Sequence, residues 1–440
     1  MAVKEYGEIP NLIKMREDRD VVGLSTCTNE MFAAFSDVAW AENGKEVKVL
    51  DLRRHVEPWL TALFQSEHLS LLVGTGLTSA ACYAAGGKPR AMEDKPFDHY
   101  GDKINKAAEM SAKLLGRGAR NFEDTIRVAN ELLRGMRIQG IGNAADKLET
   151  EINGKLSGLV KDLLVNEAII KNDVGGESWR LLGNFLMSFS ARSAGKDRLN
   201  LFTTNYDRVL EETADVIGLR FVDRFVGSLS PVFRASRLDV DYHYNPPGIR
   251  GEPRYLEGVV RFTKMHGSLD WVQHGNLIRR VGVPFGADDV TPYLREGQTF
   301  DRREYIIYPN SAKDRDTAEY PYVDLFRDFA AAICRPNSTL VTYGYGFGDS
   351  HINRIIEDSL TIASTHLVIL SYDQSNGRIL KFYEQCRSKS QISLLVGKDV
   401  ASLAALTDYY LPRPAIDTAM ERMAKVLTDR RVFEVVPEKV

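Results

Sequence analysis

The stretch LSLLVGTGLTSAACYAA, Leu69 to Ala85, reads as a strand, a glycine-rich turn and a helix in immediate succession. The strand is a solid apolar run, as suits a strand covered on both faces of a parallel sheet. In the turn, Gly74-Thr75-Gly76-Leu77-Thr78-Ser79, glycines let the backbone bend tightly and approach a pyrophosphate. The helix that follows offers free amides and the positive end of its dipole. The dehydrogenase fingerprint asks for Gly or Ala where Ser79 stands and for an acid after the next strand. Here helical sequence follows instead, which disfavours an ordinary dehydrogenase. A glycine-rich turn that binds nothing is the rival reading.

Outward from this unit, residues from about 98 to 196 carry almost no strand signal. INKAAEMSAKLLGR, FEDTIRVANELLRGMR, NAADKLETEINGKLSGLVKDLLVNEAII and SWRLLGNFLMSFSARS each repeat apolar residues at helical spacing. Strand signals return at 199–204, 219–223, 258–264, 304–308, 338–343, 366–371 and 391–395, with helical stretches such as DRVLEETADVI, YVDLFRDFAAAIC and HINRIIEDSL between some of them. This alternation predicts an α/β fold: a Rossmann-like, doubly wound, mainly parallel sheet interrupted by an all-helical insertion. We divide the chain into an N-terminal extension (1–55), the Rossmann-like domain (56–410, insertion at about 98–196) and a C-terminal tail (411–440). In the extension, MFAAFSDVAWA (31–41) is expected to be helical. LRRHVEPWLTALFQ (52–65) reads as a helix that tolerates an early Pro. DYHYNPPGIRGEPRY (241–255) reads as a loop.

In an open α/β sheet, ligand-binding side chains sit at the carboxyl ends of the strands. Two strings occupy such positions: FTTNYD (202–207) and MHGSLDW (265–271). They place Asn205, Asp207 and His266 there. An amide, a carboxylate and an imidazole can hold a ribose and handle one proton. Asp207 has a rival reading as the cap of the following helix. His266 is followed by Gly267, which leaves space beside its ring. A second turn, Tyr343-Gly344-Tyr345-Gly346-Phe347-Gly348-Asp349, links strand to helix, and either Asp349 or Ser350 is placed to cap that helix. Two such turns suit a dinucleotide better than a mononucleotide. Packing is the alternative role for these glycines. His99, His243, His274 and His351 are read as structural.

Composition bounds the rest. The chain has 440 residues, 44% hydrophobic and 27% charged, with a net charge of -3. That balance lacks the basic footprint of a dedicated nucleic-acid binder. Cys27, Cys82, Cys334 and Cys386 form no CxxC pair, so a zinc site built on paired cysteines is not expected. Scattered thiols, no apolar leader core and no membrane-length apolar run lead us to expect a soluble cytoplasmic protein, with no membrane association.

The order GTGLTS, TTNYD, HG and GYGFGD, over roughly residues 65 to 400, resembles the sirtuin-like NAD-consuming proteins, especially the sirtuin-like domains of bacterial anti-phage defence systems. TTNYD and HG correspond to that family's Thr-x-Asn-x-Asp and His-Gly. The chain also departs from sirtuin deacylases. AACYAAGGKPR stands where they carry Gly-Ile-Pro-Asp-Phe-Arg, the second Thr of TTNYD stands where they have Gln, and a module of four zinc-binding cysteines is missing.

The resemblance implies NAD as substrate, no metal, and hydrolysis of the nicotinamide–ribose bond through an oxocarbenium-like transition state. It implies that Asn205 orients water or the ribose hydroxyls, that His266 serves as base, and that Asp207 supports the ribose. The phosphates and adenosine would lie over Gly74, Thr75, Gly76, Thr78 and Ser79, with Gly344, Gly348 and Asp349 across the crevice. Tyr372 and Asp373 would approach the adenine, or simply form a loop. It further implies a regulated effector that depletes NAD, controlled by homo-oligomerisation or by a partner such as a HerA-like ring ATPase. The chain has no Walker A string, so such an ATPase would be a separate chain. The rival functions are an NAD-dependent deacylase or ADP-ribosyltransferase, and a non-catalytic NAD or ADP-ribose sensor.

Overall fold

A computed structural model of the chain describes residues 9–15, 18–91, 96–114, 120–192, 196–235, 241–244, 254–274, 277–293 and 320–412. The main sheet contains β1 (Asn11–Lys14), β2 (Val22–Leu24), β3 (His68–Val73), β4 (Asn200–Thr203), β5 (Arg220–Val222), β6 (Val259–Lys264), β7 (Ser338–Tyr343), β8 (His366–Ser371) and β9 (Ile392–Val396). Their spatial order is β2-β1-β9-β8-β7-β3-β4-β6-β5. From β9 to β5 all neighbours run parallel. β1 joins β9 antiparallel, and β2 joins β1 antiparallel. The fold is thus the mixed α/β, mainly parallel, Rossmann-like architecture predicted above.

The long central strands are buried along nearly their whole length, which accounts for their unbroken apolar sequences. One face of the sheet is covered by α1 (Val49–Phe64), α2 (Gly76–Ala84), α6 (Glu177–Ser190) and α7 (Val209–Ile217). The other is covered by α8 (Tyr322–Ile333), α9 (Ser350–Ser359) and α10 (Arg378–Gln385). Between α2 and α6 lie α3 (Gly101–Leu114), α4 (Phe122–Ile138) and α5 (Gly142–Lys171). These three pack mainly on one another around Ile104, Ile126, Leu148 and Ile152, in a cluster that also takes in Tyr206 and Leu269. The helical block therefore rests on the two strings singled out above. α6 belongs instead to the layer over the sheet.

β3 has β4 on one side and β7 on the other, so the strand order reverses at β3. The reversal opens the crevice in which ligands of such sheets bind. Both glycine-rich turns lie at its edge.

The N-terminal region differs from expectation. Residues 31–41 are not helical: Met31–Ala33 is a strand paired with Glu46–Lys48. Asn29 and Glu30 have φ of 53° and 60° and turn the chain back tightly before it. Phe32 and Ala34 are then buried while Met31 and Ala33 are only partly so, a strand's period of two. β1 and β2 make the preceding segment part of the main sheet. α1 starts at Val49, which puts Pro58 inside the helix rather than near its start. Pro58 is exposed and leaves the Arg54 carbonyl without its intrahelical donor.

Within 241–255, His243–Tyr244 pairs with Arg254–Tyr255. Residues 245–253, the expected strand at 304–308 and the tail from 413 lie outside the described residues. Among the described residues no helix is long and apolar enough to cross a membrane.

Candidate active site

The two glycine-rich turns are built against each other. Gly74 N–H donates to Tyr343 O (3.0 Å), and Gly76 N–H donates to Gly344 O (3.1 Å). A Cβ on Gly74 would stand 2.4 Å from Gly344 O, and one on Gly76 2.5 Å from Gly344 Cα. Gly344 itself has φ +61°, and its Cβ would meet Gly76 Cα at 2.7 Å. Close mutual packing therefore accounts for Gly74, Gly76 and Gly344. Gly348 differs, since a Cβ there would meet nothing within 4 Å. Thr75 is exposed at the mouth of the first turn, and Ser79 is half-buried in the first turns of α2.

Thr78 turns inward. Its hydroxyl donates to Asp207 Oδ2 (2.7 Å) and accepts from Asn205 Nδ2 (3.2 Å). Asn205 Nδ2 also donates to Gly74 O (3.1 Å). That carbonyl can only accept, so the amide nitrogen must face it. The Asn205 N–H donates to Thr203 Oγ1 (3.0 Å), and Thr203 in turn donates to Val73 O. Asn205 is thereby fixed between β3 and β4 at 3% exposure, and its Oδ1 is buried with no hydrogen-bond partner among the described residues. Such an acceptor costs about 1–3 kcal/mol unless something donates to it.

Asp207 combines the two roles weighed for it. Oδ2 accepts from Thr78, and Oδ1 accepts from Val209 N–H (3.2 Å) at the start of α7. Its carboxylate anchors Thr78 and α7 and lies 5% exposed. Lys264, the last residue of β6, reaches Asp207 O and pairs with Glu211 at 2.8 Å. Cys82 lies near this group. Burial, with the Asp207 charge adding to it, pushes its thiol up to about 12.

His266 follows β6, and Gly267 after it takes φ +89°. His266 Nε2 lies 3.0 Å from Asp349 Oδ2. The other Asp349 oxygen accepts from His351 N–H (3.0 Å) and caps α9. One carboxylate thus caps the helix and holds the imidazole. Phe326 of α8 lies near-parallel to the His266 ring at 6.5 Å, and Tyr206 is 6.2 Å away. In the tautomer that donates Nε2–H to this carboxylate, Nδ1 carries the lone pair. β6 and β7 are separated by β3 and β4. The His266 loop and the second turn therefore close over the ends of β3 and β4 from opposite sides.

The helical block is tied to the loop after β4. Tyr206 packs into the core of the helical block near Glu123 of α4, and burial followed by the Glu123 charge holds its phenol well above its usual range. Arg208 forms a buried ion pair with Glu167 of α5 at 2.6 Å. Tyr372 lies past the end of β8 and is 52% exposed, while Asp373 Oδ1 accepts from Ser375 N–H (2.7 Å) within its own turn. The sequence reading missed the His266–Asp349 contact, the Thr78 link and the Glu123 and Glu167 ties. Each joins segments far apart in sequence, and local pattern carries no sign of them.

A reversed parallel sheet with paired glycine turns, an amide and an imidazole at its carboxyl ends is an arrangement that Rossmann-like folds use to bind nucleotides. Residues 199–390 match the family model of the SIR2-like domain, which supports a sirtuin-like fold family for this protein. The match covers TTNYD, HG and GYGFGD, while the first glycine turn and α3–α5 lie before it. SIR2-like domains are typically NAD-dependent enzymes. No curated protein matches the sequence.

Proposed function

We propose that this protein hydrolyses NAD to nicotinamide and ADP-ribose. The N–C1′ bond breaks with its electron pair going to the nicotinamide ring nitrogen, which is cationic beforehand, so no general acid is needed. Water adds to C1′ and loses one proton. Asn205 Oδ1 accepts a hydrogen bond from that water or from a ribose hydroxyl, and His266 Nδ1 takes up the proton while Asp349 steadies the ring. Asp207 and Thr78 hold Asn205 in place. The observation that carries this reading is Asn205 Oδ1 at the end of β4, buried and without a hydrogen-bond partner among the described residues. The departures from the deacylase pattern favour water as acceptor over a peptide.

We extend the proposal to a role as a NAD-depleting effector of bacterial anti-phage defence, acting in the cytoplasm. In this role it is controlled through self-association or a separate HerA-like ATPase. The support is the resemblance in motif order and the helical block packed on the catalytic loop. Incubation of the purified protein with NAD alone tests the chemistry. Nicotinamide and ADP-ribose should form in equal amounts without an added acceptor. Turnover only when a peptide or nucleotide acceptor is supplied would make it a transferase. Tight NAD binding without turnover, with or without partners, would make it a sensor.

A further inference from the structure

Arg378 is the first residue of α10, at the carboxyl edge of the sheet beyond β8. Its Nε donates to Gly346 O in the second glycine turn (2.7 Å). Nη2 lies 3.0 Å from where a Cβ on Gly346 would stand, so the guanidinium lies close against that glycine. Among the described residues Arg378 has no carboxylate partner, although it is half-buried. The acid of the same turn, Asp373, has Oδ1 engaged by Ser375 N–H and, at 3.4 Å, by Ser375 Oγ. A held guanidinium with donors left over matches the oxygens of a phosphate.

Its place along the sheet edge indicates which phosphate. Crossing the carboxyl ends in spatial order gives His266 after β6, Asn205 after β4, the first glycine turn after β3, the second after β7, and Arg378 beyond β8. Neighbouring strands are about 4.8 Å apart, so β4 and β8 are roughly 14 Å apart. A dinucleotide whose nicotinamide ribose lies at Asn205, with its pyrophosphate over the glycine turns, brings its adenosine ribose to Arg378. In dinucleotide sites of this architecture an acid reads the adenosine 2′-hydroxyl of NAD, and an arginine accommodates the 2′-phosphate of NADP. We propose that Arg378 reads a 2′-phosphate on the adenosine ribose, so that the site takes NADP as well as NAD. This rests on the hydrolase reading above. The reaction is NADP plus water giving nicotinamide, 2′-phospho-ADP-ribose and one proton.

The test compares kcat/KM for NADP and NAD in wild type, Arg378→Gln and Arg378→Lys. Gln keeps an N–H for Gly346 O but loses the charge. The wild type should cleave both. The NADP-to-NAD ratio should fall about ten- to hundredfold in Arg378→Gln, mainly through KM, and recover in part in Arg378→Lys. The inference is overturned if the wild type cleaves NAD but not NADP. An unchanged ratio in Arg378→Gln also overturns it, whether both activities fall together or neither moves. If the wild type cleaves neither nucleotide, the hydrolase reading fails on its own. Calorimetric affinities for 2′-phospho-ADP-ribose and ADP-ribose then decide the role of Arg378 by the same ratio.

Discussion

His266 and Asp349 meet at 3.0 Å although 83 residues separate them and two strands lie between the strands that carry them. The same carboxylate caps α9, which fixes its position before it meets the imidazole. Asn caps helices about as well as Asp, so Asp349→Asn keeps the fold and removes only the charge facing His266. We expect kcat for NAD hydrolysis to fall about ten- to hundredfold, the scale of one hydrogen bond to a charged group, with little change in KM. Steady-state kinetics together with a melting curve check this. A variant as active as wild type would show that the contact has no part in the reaction.

Thr78 ties Asn205 to Asp207, so its hydroxyl is expected to matter although it never faces solvent. Thr78→Val removes the donor to Asp207 Oδ2 and leaves Asn205 Nδ2 with Gly74 O alone. The expected costs are about 1–3 kcal/mol in unfolding free energy and loss of most NAD hydrolysis. Asn205→Ala should abolish turnover while remaining folded by circular dichroism.

The glycines divide by what surrounds them. Gly344→Ala places a Cβ 2.7 Å from Gly76 Cα at φ +61°, against the backbone of Gly76 and Leu77. We expect at least about 1–3 kcal/mol of destabilisation, visible in urea unfolding. Gly348→Ala meets nothing within 4 Å and should shift stability by no more than about 0.5 kcal/mol. Equal stability of the two variants would contradict the packing described for the turns.

Cys82 gives the stability a pH dependence of predictable sign. Burial raises its thiol from 9.0 to about 12 in the folded protein. The folded chain therefore holds this proton more tightly than the unfolded one. The stabilisation is fully present below pH 9 and is lost as the pH rises toward 12, at about 1.4 kcal/mol per unit. Urea unfolding of wild type and Cys82→Ala at pH 8 and pH 10 should show a steeper decline for wild type. Parallel declines would show that the thiol titrates alike in both states.

Much of the fold was legible because strands buried on both faces must be apolar throughout. LSLLV, STLVTY, HLVILS and ISLLV announce β3, β7, β8 and β9, and glycine-rich sequence follows β3 and β7. MFAAF was misread because a short apolar run fits a helix and a strand equally, and the choice was made by the turn at Asn29 and Glu30. At the site, strand ends located Asn205 and His266, but not their partners. Asp349 reads locally as a cap and Thr78 as part of a phosphate turn. Their contacts with His266 and Asn205 arise only when the two turns close over the crevice.

The central claim, that Asn205 and His266 act on NAD with water as acceptor, is tested most directly by NAD hydrolysis with purified wild type and His266→Ala. The wild type should release nicotinamide and ADP-ribose, and a folded His266→Ala should do so at a rate lower by about 10² to 10⁴. Hydrolysis by His266→Ala at the wild-type rate would contradict that claim.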